Sequence, residues 1–226
     1  MPAEAGLNML QWDLRTAPAA TFPGMILWGV RTMSPAVPPG TYTVRLTADG
    51  AERTTEIEVA RHPWIEDVTD EDMEEQFEFG MRIRARVNEA NSAVIAIRRV
   101  KSQLDDRLEA SDDGPLAEAA EALRTAASEV EGNIYQVRNR SNQDPLNFPI
   151  RVNNRLANLL SMSERGDGRP GSGMYDVFEI MVAELEGYTT RLDEVWRVEL
   201  AAVNRELERL GLAPVDPADE SVELVS

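Results

Sequence analysis

The apolar positions of this chain follow two periods. Up to residue 62 the period is two. In "LNMLQWDLR", Leu10, Trp12 and Leu14 alternate with polar neighbours, and "GMILWGV" is a short apolar run ending near Val30. In "GTYTVRLTADGAERTTEIEVA", Tyr42, Val44 and Leu46 alternate with Thr43 and Arg45, and Ile57 and Val59 mark a return after Asp49-Gly50. Alternation puts every second side chain on one face of a strand, and Asp-Gly between two such runs signals a hairpin. "SPAVPPG" (34–40) breaks regular structure before it. About four or five strands in this length predict a small sandwich, with so few apolar residues that it needs support from a neighbour.

Beyond "RHPWIEDV" the period becomes about 3.5. "TDED" (69–72) combines a capping Thr69 with acids in the first turn, where the helix dipole favours them. From there Met73, Phe77, Gly80, Ile83, Val87, Ala90, Val94, Ile97, Leu104 and Leu108 form one face of a helix of about 40 residues. "SDDGP" (111–115) ends it. Leu116, Ala120, Leu123, Ala127, Val130, Ile134 and Val137 then keep a strict four-three spacing. Val152, Leu156 and Leu159 mark a shorter helix, and "RGDGRPGSG" (165–173) is a flexible link. A last helix carries Phe178, Val182, Leu185, Leu192, Val195, Val203, Leu207 and Leu210 and stops at Gly211. Heptad-like spacing with mostly short links predicts an antiparallel, mostly four-helix bundle. The expected fold class is thus α+β: an Ig-like β domain over 1–62, a helical bundle over 63–212, and an acidic frayed tail over 213–226.

Between the second and third helices lies "RNRSNQDPLNFPIRVNNRLANLL" (138–160), with six asparagines and two prolines. Each proline disfavours helix at the residue before it. The expected role is a structured reversal between helices, with Asn147 as a cap, Leu146 and Phe148 plugging the bundle end, and the other polar side chains bonding unpaired backbone groups.

Charge and composition narrow the functional classes. Net charge is −17 with pI near 4.5, a surface that repels phosphate backbones, so nucleic acid and anionic membrane are not expected partners. There are no cysteines, which removes disulfides and thiolate chemistry. No apolar run reaches the roughly 20 residues of a membrane span, and the first residues lack the basic and apolar regions of a signal peptide. Glu-x-x-His pairs, Walker loops, Gly-rich dinucleotide turns and G-x-S-x-G elbows are all missing, and the single histidine, His62, sits in a linker. No cofactor, metal site or catalytic residue is predicted, and the chain is expected not to be an enzyme. The candidate ligand or partner surface is Trp12, Trp28, Arg82 and Arg86. The two tryptophans could stack on a sugar, and the two arginines belong to an arginine-rich helix in an acidic protein. The structural alternatives are core packing for the rings and salt bridges for the guanidinium groups.

"AGLNMLQWDLR", "FPGMILWG", "PPGTYTVRLTADG", "RVNEANSAVIAIRRVKSQL" and "IYQVRNRSNQDPLNFPIRVNNRLANLL" together resemble the C-terminal region of large bacterial BNR/sortilin-like β-propeller proteins, often labelled glycosyl-hydrolase-like. The resemblance covers about residues 5–212. The β part is also similar, more weakly, to the Ig-like domain of flagellar hook-capping proteins. The propeller and its Ser-x-Asp-x-Gly-x-x-Trp signature do not occur here, so no catalytic residue is carried over. What the resemblance implies is a non-catalytic accessory or protein-interaction module. Its partner would be a protein or the missing β-propeller, in a periplasmic or extracellular setting, with the cytoplasm left open because this chain shows no signal peptide. The alternative is a glycan-binding or glycosyl-hydrolase-like protein whose catalytic part lies outside the chain.

Overall fold

The computed structural model describes residues 6–224. The first five residues of the expected β region and the last two of the expected tail lie outside them. The fold is a small antiparallel hairpin followed by packed helices: β1 (Gly40–Ala48), β2 (Ala51–Val59), α1 (Asp70–Glu109), α2 (Gly114–Ile134), α3 (Val152–Ser163), α4 (Ser172–Val195) and α5 (Ala201–Arg209).

The expected Ig-like sandwich does not form. Among the described residues the one sheet has two strands, paired in register from Gly40 opposite Val59 to Ala48 opposite Ala51, and the only other bridge joins Arg15 to Ala36. Residues 14–37 are instead an irregular loop closed by Val37 N–H to Leu14 O, Thr16 N–H to Pro35 O and Ala19 N–H to Met33 O. Prolines 18, 23 and 35 have no N–H to give a ladder, and Leu14, Gly24 and Gly29 take positive φ, which no strand tolerates. The loop's backbone bonds go to helix side chains. Asn154 accepts from Trp28 N–H (2.7 Å) and donates to Trp28 O (2.9 Å), one amide serving both backbone groups of one residue. Asn158 adds a second donor to that oxygen, Ser161 Oγ accepts from Arg31 and Thr32, and Asn88 accepts from Ala20. A buried backbone group must find some partner, and here the helices supply it.

The helix boundaries have local causes. At α1, Thr69 and Asp72 form a reciprocal capping box. Asp113 caps α2 through Leu116 N–H, with Pro115 in its first turn. At Gly211, φ is +69°, and Leu212 N–H reaches back to Leu207 O, the Schellman closure that needs a left-handed residue. The α2 face from Leu116 to Ile134 is buried as its spacing predicts, but the helix ends there and Val137 lies beyond it. On α1 the core position is Phe79, while Phe77 is only half-buried.

The arrangement of the helices departs from a four-helix antiparallel bundle. Against α1, α2 runs backwards, with Arg124 on Asp105 and Glu131 on Arg98. Then α3 continues in the same direction, with Asn153 on Asn91 and Ser163 O accepting from Gln76. So α2 and α3 share one side of α1, end to end. Parallel to α1 runs α4, pairing Tyr175 with Glu75, Glu179 with Arg82 and Glu186 with Arg86. A π turn over Trp196–Leu200 carries it into α5, whose Arg209 meets Asp113 at the start of α2. Two rods of about 60 Å thus flank a third that is broken in the middle.

The asparagine-rich stretch is that break, so the chain steps sideways there and does not reverse. Leu146 is 67% exposed and plugs nothing, the Asn147 side chain caps no helix, and Arg151 holds the N-cap position of α3 without a side-chain bond. Phe148 lies under the Arg138 guanidinium at 4.0 Å. The turn is held by Asp144, whose carboxylate accepts from the N–H groups of Arg140 and Ser141, and by Gln136, which donates to Pro149 O. Into the gap comes the tip of the 14–37 loop: Phe22 packs edge-on against Tyr135 at 5.0 Å, and Tyr135 Oη accepts from Ile26 N–H. One core therefore runs from Ala19 and Phe22 through all the helices, across the boundary expected at 62/63. It also takes in the start of the acidic tail. Val215 is buried, Gln103 bonds Asp216 N–H and O, and Asn204 bonds Val215 N–H and O, so the fraying expected from 213 does not apply to 213–216.

Candidate functional site

The hairpin stands apart from the helices. Among the described residues no Cα of either strand comes within 8 Å of a helix Cα. Alternation gives it two unlike faces. One carries Tyr42, Val44 and Leu46 opposite Ile57, Thr55 and Arg53, with Val59 at its base. The other carries Thr41, Thr43 and Arg45 opposite Glu58, Glu56 and Thr54. Tyr42, Ile57 and Val59 are half-buried, but Leu46 is 48% exposed and Val44 38%, so the outer half of the face is uncovered. Trp12 lies against it, edge-on to Tyr42 at 5.4 Å. Burial, and then the charge of Glu74, push the Tyr42 phenol above its ordinary pKa. The outer edge of β2 is charged through Glu52, Arg53, Glu56 and Glu58, whereas β1 offers only Arg45. A charged edge resists further pairing, so β1 is the open one. Upstream of Trp12, Leu7, Met9 and Leu10 are also exposed.

The four residues singled out from the sequence do not converge. Trp12 is half-buried at the hairpin, its indole N–H bonded to Arg15 O. Trp28 sits on α3, its backbone gripped by Asn154 and the residue 39% exposed. Arg82 lies over the Phe178 ring at 4.9 Å and pairs with Glu179, and Arg86 pairs with Glu89 and Glu186. Those hydrogen bonds, that to Glu89 first, raise the Arg86 pKa. Both arginines are therefore engaged by acids of their own chain. Arg84 likewise holds Ala17 O and Pro18 O, and Arg98 holds Glu131 and Pro23 O.

A shallow apolar groove runs between α3 and α4, floored by Leu159, Met162, Met174, Val177 and Met181, with Arg155 at its rim. The Arg155 guanidinium is tied to Glu184 at 2.5 Å. His62 is exposed, stacked edge-on with Trp64 at 5.5 Å. Among the described residues no group of three His, Asp or Glu side chains is arranged to hold a metal ion, and no helix is long and apolar enough to cross a membrane. No family model, curated protein or solved structure matches the chain.

Proposed function

We propose that this chain is a non-catalytic interaction module that presents its hairpin to a neighbouring β-rich domain, and that the neighbour is a β-propeller of the kind the sequence resembles. The observation that carries this reading is the isolated hairpin itself. Two strands alone are marginal in water, and a third strand or a covering layer is what ordinarily completes such a face. Tyr42, Val44 and Leu46 supply the apolar surface, β1 supplies the open edge, and the acidic β2 edge directs the partner to one side. The helices and the 14–37 loop form the base that holds the hairpin out.

The test is site-specific photo-crosslinking in the organism that makes the chain, with the photoreactive residue at Leu46 or, as a control, at Glu56 on the opposite face. The expected result is one covalent adduct from position 46 with a β-propeller domain, and none from position 56. Equal capture from both positions, or a partner without β architecture, overturns the reading. So does hydrolysis of model glycosides by the purified chain that one carboxylate substitution abolishes.

A further inference from the structure

Within α3 only Arg155, Asn158 and Met162 are not buried, and Arg151 before them and Arg165 after them continue the same stripe at four- and three-residue steps. On α4 the stripe beside it is Gly173, Val177, Ile180 and Glu184, with Asp176 on its outer flank. Between the two stripes lies the groove floored by Leu159, Met162, Met174, Val177 and Met181. We propose that this face pairs with the same face of a second copy of the chain, in a dimer whose twofold axis runs parallel to α3 and α4.

Exposure marks the face. Ile180 is 68% exposed, Met162 47% and Val177 41%, all at one groove. Its three methionines are unbranched and adapt to an incoming surface. Ile180 is itself a ridge that such a groove accepts. Charge then selects the occupant. The α3 stripe is basic through Arg151, Arg155 and Arg165, and the α4 side is acidic through Asp176 and Glu184. Arg155 and Glu184 already pair within the chain at 2.5 Å, whereas Arg151, Arg165 and Asp176 form no ion pair among the described residues. A basic stripe beside an acidic one is complementary to itself. Register completes the match. The two helices run antiparallel, with Arg155 level with Glu184. Counting from that pair at about 1.5 Å per residue puts Leu159 level with Ile180, and Arg165 within about one turn of Asp176. A half-turn about an axis parallel to the helices keeps each level and exchanges the sides. It lays α4 of each copy over α3 of the other. Ile180 then enters the second copy's groove at Leu159, Glu184 meets Arg155, and Asp176 meets Arg165. A half-turn about the perpendicular axis sets α3 on α3, arginine against arginine, which the charges oppose. Neither strand of the hairpin lines this groove, so the pairing is independent of what the hairpin binds.

Sedimentation equilibrium on the full chain, up to about 200 µM, measures the pairing directly. The expected result is a mass that rises with concentration from 25.1 kDa towards twice that value. Ile180→Glu changes a side chain that already faces water, so the variant folds, and it should weaken the pairing by about tenfold or more. Arg165→Glu and Asp176→Arg each remove no ion pair within the chain, and each should weaken the pairing by about threefold. The double variant, with the two charges exchanged, should restore it. Leu46→Glu on the hairpin should leave it unchanged, which separates this face from association through the open strand edge. Thermal melts check that each variant keeps the parent fold. A mass of 25.1 kDa throughout, a dimer indifferent to Ile180→Glu, a double variant no better than the single ones, or a dimer lost in Leu46→Glu overturns the proposal.

Discussion

At the scale of single residues, the asparagines of 138–160 divide by what they touch. Asn154 serves both the N–H and the C=O of Trp28, whereas the Asn147 side chain has no such partner. Asn154→Ala strands a part-buried N–H and C=O and is expected to lower stability by about 1–2 kcal/mol, while Asn147→Ala stays within about 0.5 kcal/mol. Chemical denaturation of both variants checks the contrast. That polar side chains in this stretch bond the backbone was legible from composition. Which asparagine does so was not, because its partner lies 126 residues away in an irregular segment with no periodicity of its own.

Tyr175 gives a pH signature at the same scale. Burial, and then its hydrogen bond to Glu75 at 2.8 Å, push its phenol up to about 12. A phenol raised above its unfolded value of roughly 10 contributes stability that is fully present below that pH and is lost as pH rises towards the folded value. In an absorbance titration Tyr175 should be the last tyrosine to ionise, near pH 12, and Tyr175→Phe should remove that step. A full phenolate signal by pH 11 contradicts the placement.

At the scale of elements, the long helices were readable and one irregularity within them was readable in hindsight. The buried positions of the last rod are Phe178, Val182, Leu185, Leu192, Val195, Leu200, Val203 and Leu207. Between Val195 and Leu200 the step is five residues, where an α-helix allows three or four. The helix widens to a π turn at that point, and the apolar face stays on the core. Deleting Val198, an exposed residue of that turn, restores the three-four rhythm. It should leave the thermal midpoint within a few degrees of the parent, whereas deleting Glu121 from α2 rotates half of an unbroken face out of the core and should cost about 3 kcal/mol or more. Calorimetry on the two variants measures this. The β region went the other way. Leu10, Trp12 and Leu14 alternate as a strand would, yet the prolines and positive-φ residues that follow prevent a ladder, and α3 takes over the hydrogen bonding. In this stretch alternation does not mark burial, since Leu10 and Leu14 are exposed and only Trp12 is half-buried. Nor does it say whether a strand or a helix waits on the other side.

For the whole molecule, the division expected near residue 62 falls elsewhere in space. The 14–37 loop shares the helical core through Ala19 and Phe22, while no Cα of the hairpin that follows it in sequence comes within 8 Å of a helix Cα. The helices could be located from periodicity, but their order could not. Heptad spacing is the same whether a helix reverses or steps sideways, and the sideways step depends on Phe22 entering the gap beside Tyr135. Asn139 and Arg140 lay inside the stretch that stood out by composition, but only the meeting of loop tip and connection makes them neighbours of Arg98.

The irregular loop belongs to the folded base, and the hairpin is held out from it. Native-state hydrogen exchange on the full chain tests this directly. The amides of Trp28, Arg31 and Thr32, bonded to Asn154 and Ser161, should exchange only with the global unfolding that also exposes α1. The cross-strand amides of β1 and β2 should exchange through a separate, cheaper opening. Hairpin amides as protected as those of α1, with the loop amides exchanging freely, would contradict the account.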